Sequence, residues 1–275
     1  MNDTMLVSIV TFIYFAGALG FLIALVFNSS VVERLSLGTA ISGFVLHSAA
    51  LALRWIISYQ QGIGHAPLSN FYESLVFFSW AIVFVYLLSK KHYKTRMLGI
   101  LACFISFVVL AYASLSGKVE CRIQPLIPAL QSNWLISHVV SSFLAYACFA
   151  IAFGTSVLFF FAQKTDNKHS GRMPDMSALD EITYKMISIG FVLLTTGIMT
   201  GAVWADRAWG RYWGWDPKET WSLITWLIYG AFLHARLARG WKGVRMSVIS
   251  IIGFVAVIFT YLGVNYILAG LHSYL

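Results

Sequence analysis

Met5-Leu-Val-Ser-Ile-Val-Thr-Phe-Ile-Tyr-Phe-Ala-Gly-Ala-Leu-Gly-Phe-Leu-Ile-Ala-Leu-Val-Phe27 contains no charged side chain. The hydrocarbon core of a bilayer is about 30 Å thick, and about 20 apolar residues of helix cross it. This stretch therefore predicts a membrane-spanning helix. Similar runs follow along the whole chain, at roughly 37–57, 71–89, 96–115, 134–162, 184–203, 221–238 and 246–270. Composition agrees: of 275 residues, 59% are hydrophobic and 11% charged, against about 45–50% and about 25% in soluble domains. A water-soluble fold is excluded, and no segment between the runs is long enough for a soluble domain. Three cysteines exclude a disulfide scaffold. The expectation is an all-α polytopic membrane protein of about eight transmembrane helices, a single integral membrane domain over 1–275. No basic stretch precedes Met5, so the first helix is expected to be retained rather than cleaved as a signal peptide. No sequence repeat and no low-complexity tract is evident.

The net charge of +8 points to loop asymmetry rather than to nucleic acid. The odd-numbered connections carry Arg34; Lys90, Lys91, Lys94 and Arg96; Lys164, Lys168 and Arg172; and Arg236, Arg239, Lys242 and Arg245. The even-numbered ones carry only Lys118, Arg122, Arg207, Arg211 and Lys218. Basic residues stay on the cytoplasmic side, so both termini and the even connections are expected on the external, periplasmic or lumenal, side.

One external connection stands out. It reads Trp204-Ala-Asp-Arg-Ala-Trp209-Gly-Arg-Tyr-Trp213-Gly-Trp215-Asp-Pro-Lys-Glu-Thr-Trp221. Tryptophan is common at both membrane interfaces, but a belt spreads over many helix ends. Here the indoles crowd into one connection, interleaved with Gly210 and Gly214. Such a strip offers a flat apolar platform suited to a large planar ligand by stacking and buried area. The end of the stretch also reads as a helix start, with Asp216 as N-cap, Pro217 at the first helical position and Glu219 at capping-box spacing.

Ionisable groups at membrane depth are functional candidates by default, which singles out four of the seven histidines. His138 enters the fifth span from outside, with Ser141, Ser142 and Ala145 on the same face; that face suits either a bulky neighbour or a close helix contact. His272 lies just beyond the eighth span, also outside. Neutral imidazole ligates iron well, so two external histidines beside the platform could hold a haem. His234 lies about 20 Å along the seventh span from Trp221, either as a second ligand position or as an interfacial histidine. His47 shares a bundle-facing side of the second span with Gly43, Ala50 and Arg54, and a structural partner is the favoured reading. Arg54 is expected to pair with a propionate or with Glu73. His65 reads as a loop residue, and His92 and His169 as solvated. Cys103 and Cys148 read as small apolar residues; Cys121 is given no role. No Cys-x-x-Cys-His segment exists, so the chain is not itself a covalent cytochrome c.

Trp209-Gly-Arg-Tyr-Trp213-Gly-Trp215-Asp216-Pro-Lys-Glu219 resembles the tryptophan-rich WWD motif of the haem-handling proteins of cytochrome c maturation. Within that group the chain is similar to the CcsA (ResC) family, the polytopic half of the System II cytochrome c synthase. Length, eight spans, the Gly64-His-Ala-Pro-Leu-Ser-Asn-Phe-Tyr-Glu73 stretch and the histidines extend the resemblance over nearly the whole chain. The related CcmC proteins are typically shorter, with six spans, and the CcmF proteins much larger. The resemblance implies that His138 and His272 ligate haem iron externally and act in catalysis, and that His234 serves an intramembrane haem position. It implies contacts to haem b from Trp204, Trp209, Gly210, Trp213, Gly214, Trp215, Asp216 and Trp221. It also implies a CcsB/ResB-type membrane partner that completes the synthase (haem lyase), a Cys-x-x-Cys-His apocytochrome c as acceptor, and a thiol-reducing protein. Arg207 or Arg211 would hold propionates. The membrane would be a bacterial inner membrane or a thylakoid.

Two other classes remain open at this point. A bis-histidine redox protein passing electrons to quinone wants histidine pairs deep on facing helices; the two strongest ligand candidates here are external, and His47 and His234 make the one mid-membrane pair on offer. A non-haem transporter wants polar or broken helices at the midplane, and few polar groups occur there.

Overall fold

The computed structural model describes residues 2–90, 96–116, 119–164 and 175–267. Nearly all of them are helical: α1 (Asp3–Val26), α2 (Ser30–Gln60), α3 (Phe71–Lys90), α4 (Arg96–Leu115), α5 (Asn133–Lys164), α6 (Met176–Trp209), α7 (Pro217–Arg239) and α8 (Val244–Ile258). A π-helical turn, Phe259–Gly263, carries α8 on into α9 (Val264–Ile267). The helices lie on the expected runs, but α2 begins well before 37 and α6 extends well beyond 184–203 at both ends. Seven are long and apolar enough to cross a membrane, and the protein is an all-α polytopic membrane protein. The one that falls short, α7, carries Lys218 and Glu219 at one end and Arg236 and Arg239 at the other. Large apolar side chains such as Phe12, Leu19, Val192 and Met199 are exposed, as lipid-facing side chains are.

The described chain forms two compact units, residues 1–127 and 128–275. In the first, α1 packs along both α2 and α4, and α3 packs on α4. Close approach follows from small residues: a Cβ on Gly43 would stand 2.7 Å from the Tyr14 ring, and one on Gly99 2.7 Å from Phe21. Charge ties both ends of this unit. At one end Glu33 accepts from Lys90 and Arg96, each at 2.8 Å. At the other, Arg54 is 3% exposed and donates to Asp3 (2.7 Å), Glu73 (2.9 Å) and the Cys121 carbonyl (3.0 Å). Glu73, one of the two partners that its position suggested, is thus paired with Arg54, and Asp3 is a second ionic partner that the sequence did not suggest. A buried guanidinium costs several kcal/mol to desolvate, and only near-complete pairing offsets this.

In the second unit α5 packs most extensively along α6 and also meets α8, and α7 packs on α8 and α6. Gly190 admits the Phe149 ring, which stacks on Tyr229 at a centroid distance of 3.7 Å. Asp180 closes one end, accepting from Arg236 (2.6 Å) and from the Gly243 backbone N–H (2.7 Å).

Candidate functional site

The tryptophan-rich stretch is built from two helix ends. α6 runs on through Trp209 and stops at Gly210, whose φ of 72° is the left-handed conformation that a C-terminal cap requires and glycine adopts without strain. The non-helical connection is therefore 210–216. α7 then begins as its sequence foretells. Asp216 accepts from the Lys218 N–H at 3.1 Å, and Glu219 Oε2 accepts from the Asp216 N–H at 3.1 Å, a reciprocal capping box with Pro217 at the first position. The same Glu219 oxygen accepts from the Gly214 N–H at 2.7 Å, so one carboxylate secures both the helix start and the loop before it. Trp215 sits at φ 57° and is 69% exposed. Non-glycine residues adopt this left-handed conformation uncommonly, and here it turns the indole outward.

The tryptophans divide between burial and display. Trp204 is 2% exposed and donates its indole N–H to the Ala129 carbonyl at 2.8 Å. Trp209 meets it edge-on at 4.9 Å, and Trp213 meets Trp215 edge-on at 5.8 Å. Trp221 packs on Phe259 at 4.2 Å. Arg211, exposed, lies over Gly214, where a Cβ would stand 2.7 Å from the guanidinium carbon.

His138 belongs to this assembly. Its ring lies nearly parallel to Trp204 at 5.9 Å, and its Nδ1 is 2.7 Å from the Gly197 carbonyl oxygen. A carbonyl only accepts, so Nδ1 carries the proton and the lone pair sits on Nε2. A backbone acceptor of this kind fixes a ligating histidine's tautomer and raises its basicity. Gly201 makes the room: a Cβ there would come within 2.5 Å of Nδ1. Ser142 meets Gly197 closely, so the small-sided face of α5 serves a tight contact with α6. Sequence reasoning found His138 but missed its cradle; the Gly197-Ile-Met-Thr-Gly201 spacing, a small-xxx-small pattern, was the available signal.

The remaining histidines are dispersed. His272 lies outside the described residues, as do His92 and His169. His234 is exposed on α7, one turn after Gly230. His47 is fully buried, with the Tyr14 hydroxyl 3.2 Å from its Nδ1, a structural pairing. His65 is 6% exposed, with the Ala66 and Gln124 carbonyls 2.8 Å and 2.9 Å from its two ring nitrogens, so it pins two loops together. Cys103 and Cys148 are buried; Cys121 is exposed.

A family model described as cytochrome C assembly protein matches residues 68–272. A cytochrome c biogenesis protein CcsA of Chlamydomonas reinhardtii is 43% identical over 253 residues, covering 90% of this chain and 69% of that protein. Another CcsA, of Prochlorococcus marinus, is 38% identical over 276 residues, covering 90% of this chain and 84% of the other. Among solved structures, the cytochrome c haem lyase CcmF matches with a TM-score of 0.72 and 17% identity over 95% of this chain. This chain spans 47% of that one, and at such identity the likeness concerns the fold.

Proposed function

The chain belongs to the cytochrome c assembly protein family, with CcsA proteins among its relatives, and from that membership we propose that its external end binds haem and presents it for covalent attachment to an apocytochrome c. Haem is then a substrate. The observation that carries the reading is His138: an imidazole whose Nδ1–H is fixed by the Gly197 carbonyl, stacked on Trp204 and given space by Gly201.

In this reading His138 Nε2 is one axial donor and His272 the other, with both termini external. Trp209, Trp213 and Trp215 cover the porphyrin faces, Gly210 and Gly214 let the backbone approach, and Asp216 with Glu219 keeps the loop in shape. Trp204 and Trp221 brace the loop from its two helices. Arg207 or Arg211 pairs a propionate. The haem is haem b, whose vinyl groups stay accessible. Each thiol of a reduced Cys-x-x-Cys-His segment adds across a vinyl C=C: one C–S bond forms and the thiol proton ends on the neighbouring vinyl carbon, with no net oxidation. A thiol-reducing protein keeps the acceptor cysteines reduced, and the acceptor histidine displaces one of the two imidazoles. His234, exposed on α7, serves an intramembrane haem position together with a CcsB/ResB-type partner, and the pair acts as the synthase in a bacterial inner membrane or a thylakoid.

The test is the absorption spectrum of the protein purified with its membrane partner, oxidised and dithionite-reduced. Sharp reduced α and β bands that collapse in His138→Ala and return with added imidazole are expected. Unchanged bands and normal cytochrome c maturation in His138→Ala would overturn the assignment.

A further inference from the structure

The two units repeat one another helix by helix. Within each, the first helix packs most extensively on the second, then on the fourth; the third packs on the fourth, and the second meets the third less extensively. The side-chain pairs correspond as well. Trp80 donates its indole N–H to Ser48 and stacks on Phe44; Trp226 donates to Thr195 and stacks on Phe191. Gly43 admits the Tyr14 ring as Gly190 admits Phe149, and Gly20 abuts Ser36 where Thr155 bonds Thr183. Glu33 clamps Lys90 as Asp180 clamps Arg236. Asn70 accepts from the Glu73 N–H and Glu73 accepts from the Ser69 N–H at the start of α3, and Asp216 and Glu219 hold the matching places in the capping box of α7. These are not loose analogies, because the register is constant. One spacing relates Glu33, Gly43, Phe44 and Ser48 of α2 to Asp180, Gly190, Phe191 and Thr195 of α6. Another relates Asn70, Glu73, Trp80 and Lys90 of α3 to Asp216, Glu219, Trp226 and Arg236 of α7. A third relates Tyr14 and Gly20 of α1 to Phe149 and Thr155 of α5.

Carried to the opposite end of each unit, the same registers match Asp3 with His138 and Arg54 with Gly201. In unit 1 the Arg54 guanidinium fills the end of the bundle, held by Asp3 and by Glu73 Oε1. In unit 2 the corresponding place has no side chain at Gly201, and the His138 ring occupies the room so left. Glu219, the counterpart of Glu73, uses Oε2 for its loop N–H groups, just as Glu73 uses Oε2 for the Ser69 N–H.

We propose that the chain is a tandem repeat of one four-helix unit, and that exchange of an Asp–Arg pair for a His–Gly pair separates a unit closed by salt bridges from a unit open to a haem-iron ligand. Gly201 is then the specificity-determining position: it keeps out the cation that seals unit 1. This rests on the haem reading above for the ligand's identity, but not for the equivalence of the positions.

The equivalence is tested by reciprocal exchange in the full-length protein, read as the thermal unfolding midpoint in detergent. Gly201→Arg and His138→Asp are each expected to lower the midpoint, the one burying an unpaired guanidinium and the other setting a carboxylate against the Gly197 carbonyl. The double variant is expected to recover most of the loss, because the introduced guanidinium then meets the introduced carboxylate and Glu219, as Arg54 meets Asp3 and Glu73. External haem bands should be absent from all three. In unit 1, Arg54→Gly leaves Asp3 and Glu73 without that cation, and adding Asp3→His is expected to recover stability. Midpoint losses that simply add in both cycles overturn the proposal; where Gly201→Arg yields no folded protein, the Asp3/Arg54 cycle decides it alone. Because the readout is unfolding, recovery without any haem in the native protein would retain the repeat and discard only the haem reading.

Discussion

Gly201 and Gly214 each lie against a nitrogen-bearing side chain, and the contacts differ in what can yield. At Gly214 the neighbour is the far end of Arg211, exposed and flexible. At Gly201 it is the His138 ring, held between the Gly197 carbonyl and Trp204. Gly201→Ala is therefore expected to push His138 off its carbonyl and weaken haem retention on the order of 10-fold, the scale on which losing a ligand's supporting hydrogen bond is felt. Gly214→Ala should lose less haem than Gly201→Ala, because its Cβ narrows the approach to the porphyrin but leaves His138 on its carbonyl. Haem-to-protein ratios after gel filtration check both. Among single residues, the sequence revealed the candidate ligand and hid its support. A histidine near an aromatic cluster declares itself by type, whereas a carbonyl acceptor and a missing Cβ exist only once α5 lies on α6. Trp204 shows the same limit: nothing in its spacing separates a displayed indole from one that is 2% exposed and bonded to Ala129.

Helix ends are the most legible elements, because their signals are local. Asp216, Pro217 and Glu219 announce the start of α7, and the structure returns the capping box with the expected partners. Glu219 also accepts from Gly214, beyond what a capping box demands. Asp216→Ala is expected to cost about 1 kcal/mol of stability, the usual worth of an N-cap. Glu219→Ala should also loosen residues 210–216, seen as faster amide exchange at Gly214 and Asp216, while Glu219→Gln, which keeps an acceptor oxygen, should protect both. α7 is also where apolarity reads least clearly as a span, since charges cluster at both of its ends. Which helix packs on which was not legible: the runs are alike in their apolarity, and the small residues that set close approach carry no label of their partners.

For the whole molecule, charge gathers at the ends of the units and apolar packing fills their middles. The cluster around Arg54 joins the start of α1, the end of α2, the start of α3 and the α4–α5 connection. Arg54→Met would leave two buried carboxylates facing each other. A loss of about 3–5 kcal/mol follows for a broken buried pair, measurable as a lower unfolding midpoint, and Asp3→Asn added to Arg54→Met should relieve part of it. The repeat of the two units escaped sequence inspection because its identities, such as Trp80 with Trp226 and Glu73 with Glu219, are few. In an apolar background they give no contrast until their contacts coincide. The π-turn at Phe259–Gly263 adds one more consequence. A π-turn holds one residue more than the α-helix it interrupts, so the chain after it is out of phase by one residue, about 100° of rotation. Counting by threes and fours names the right face of α8 as far as Ile258 and the wrong one afterwards, and removing one residue there would act as a twist on everything downstream rather than as a shortening.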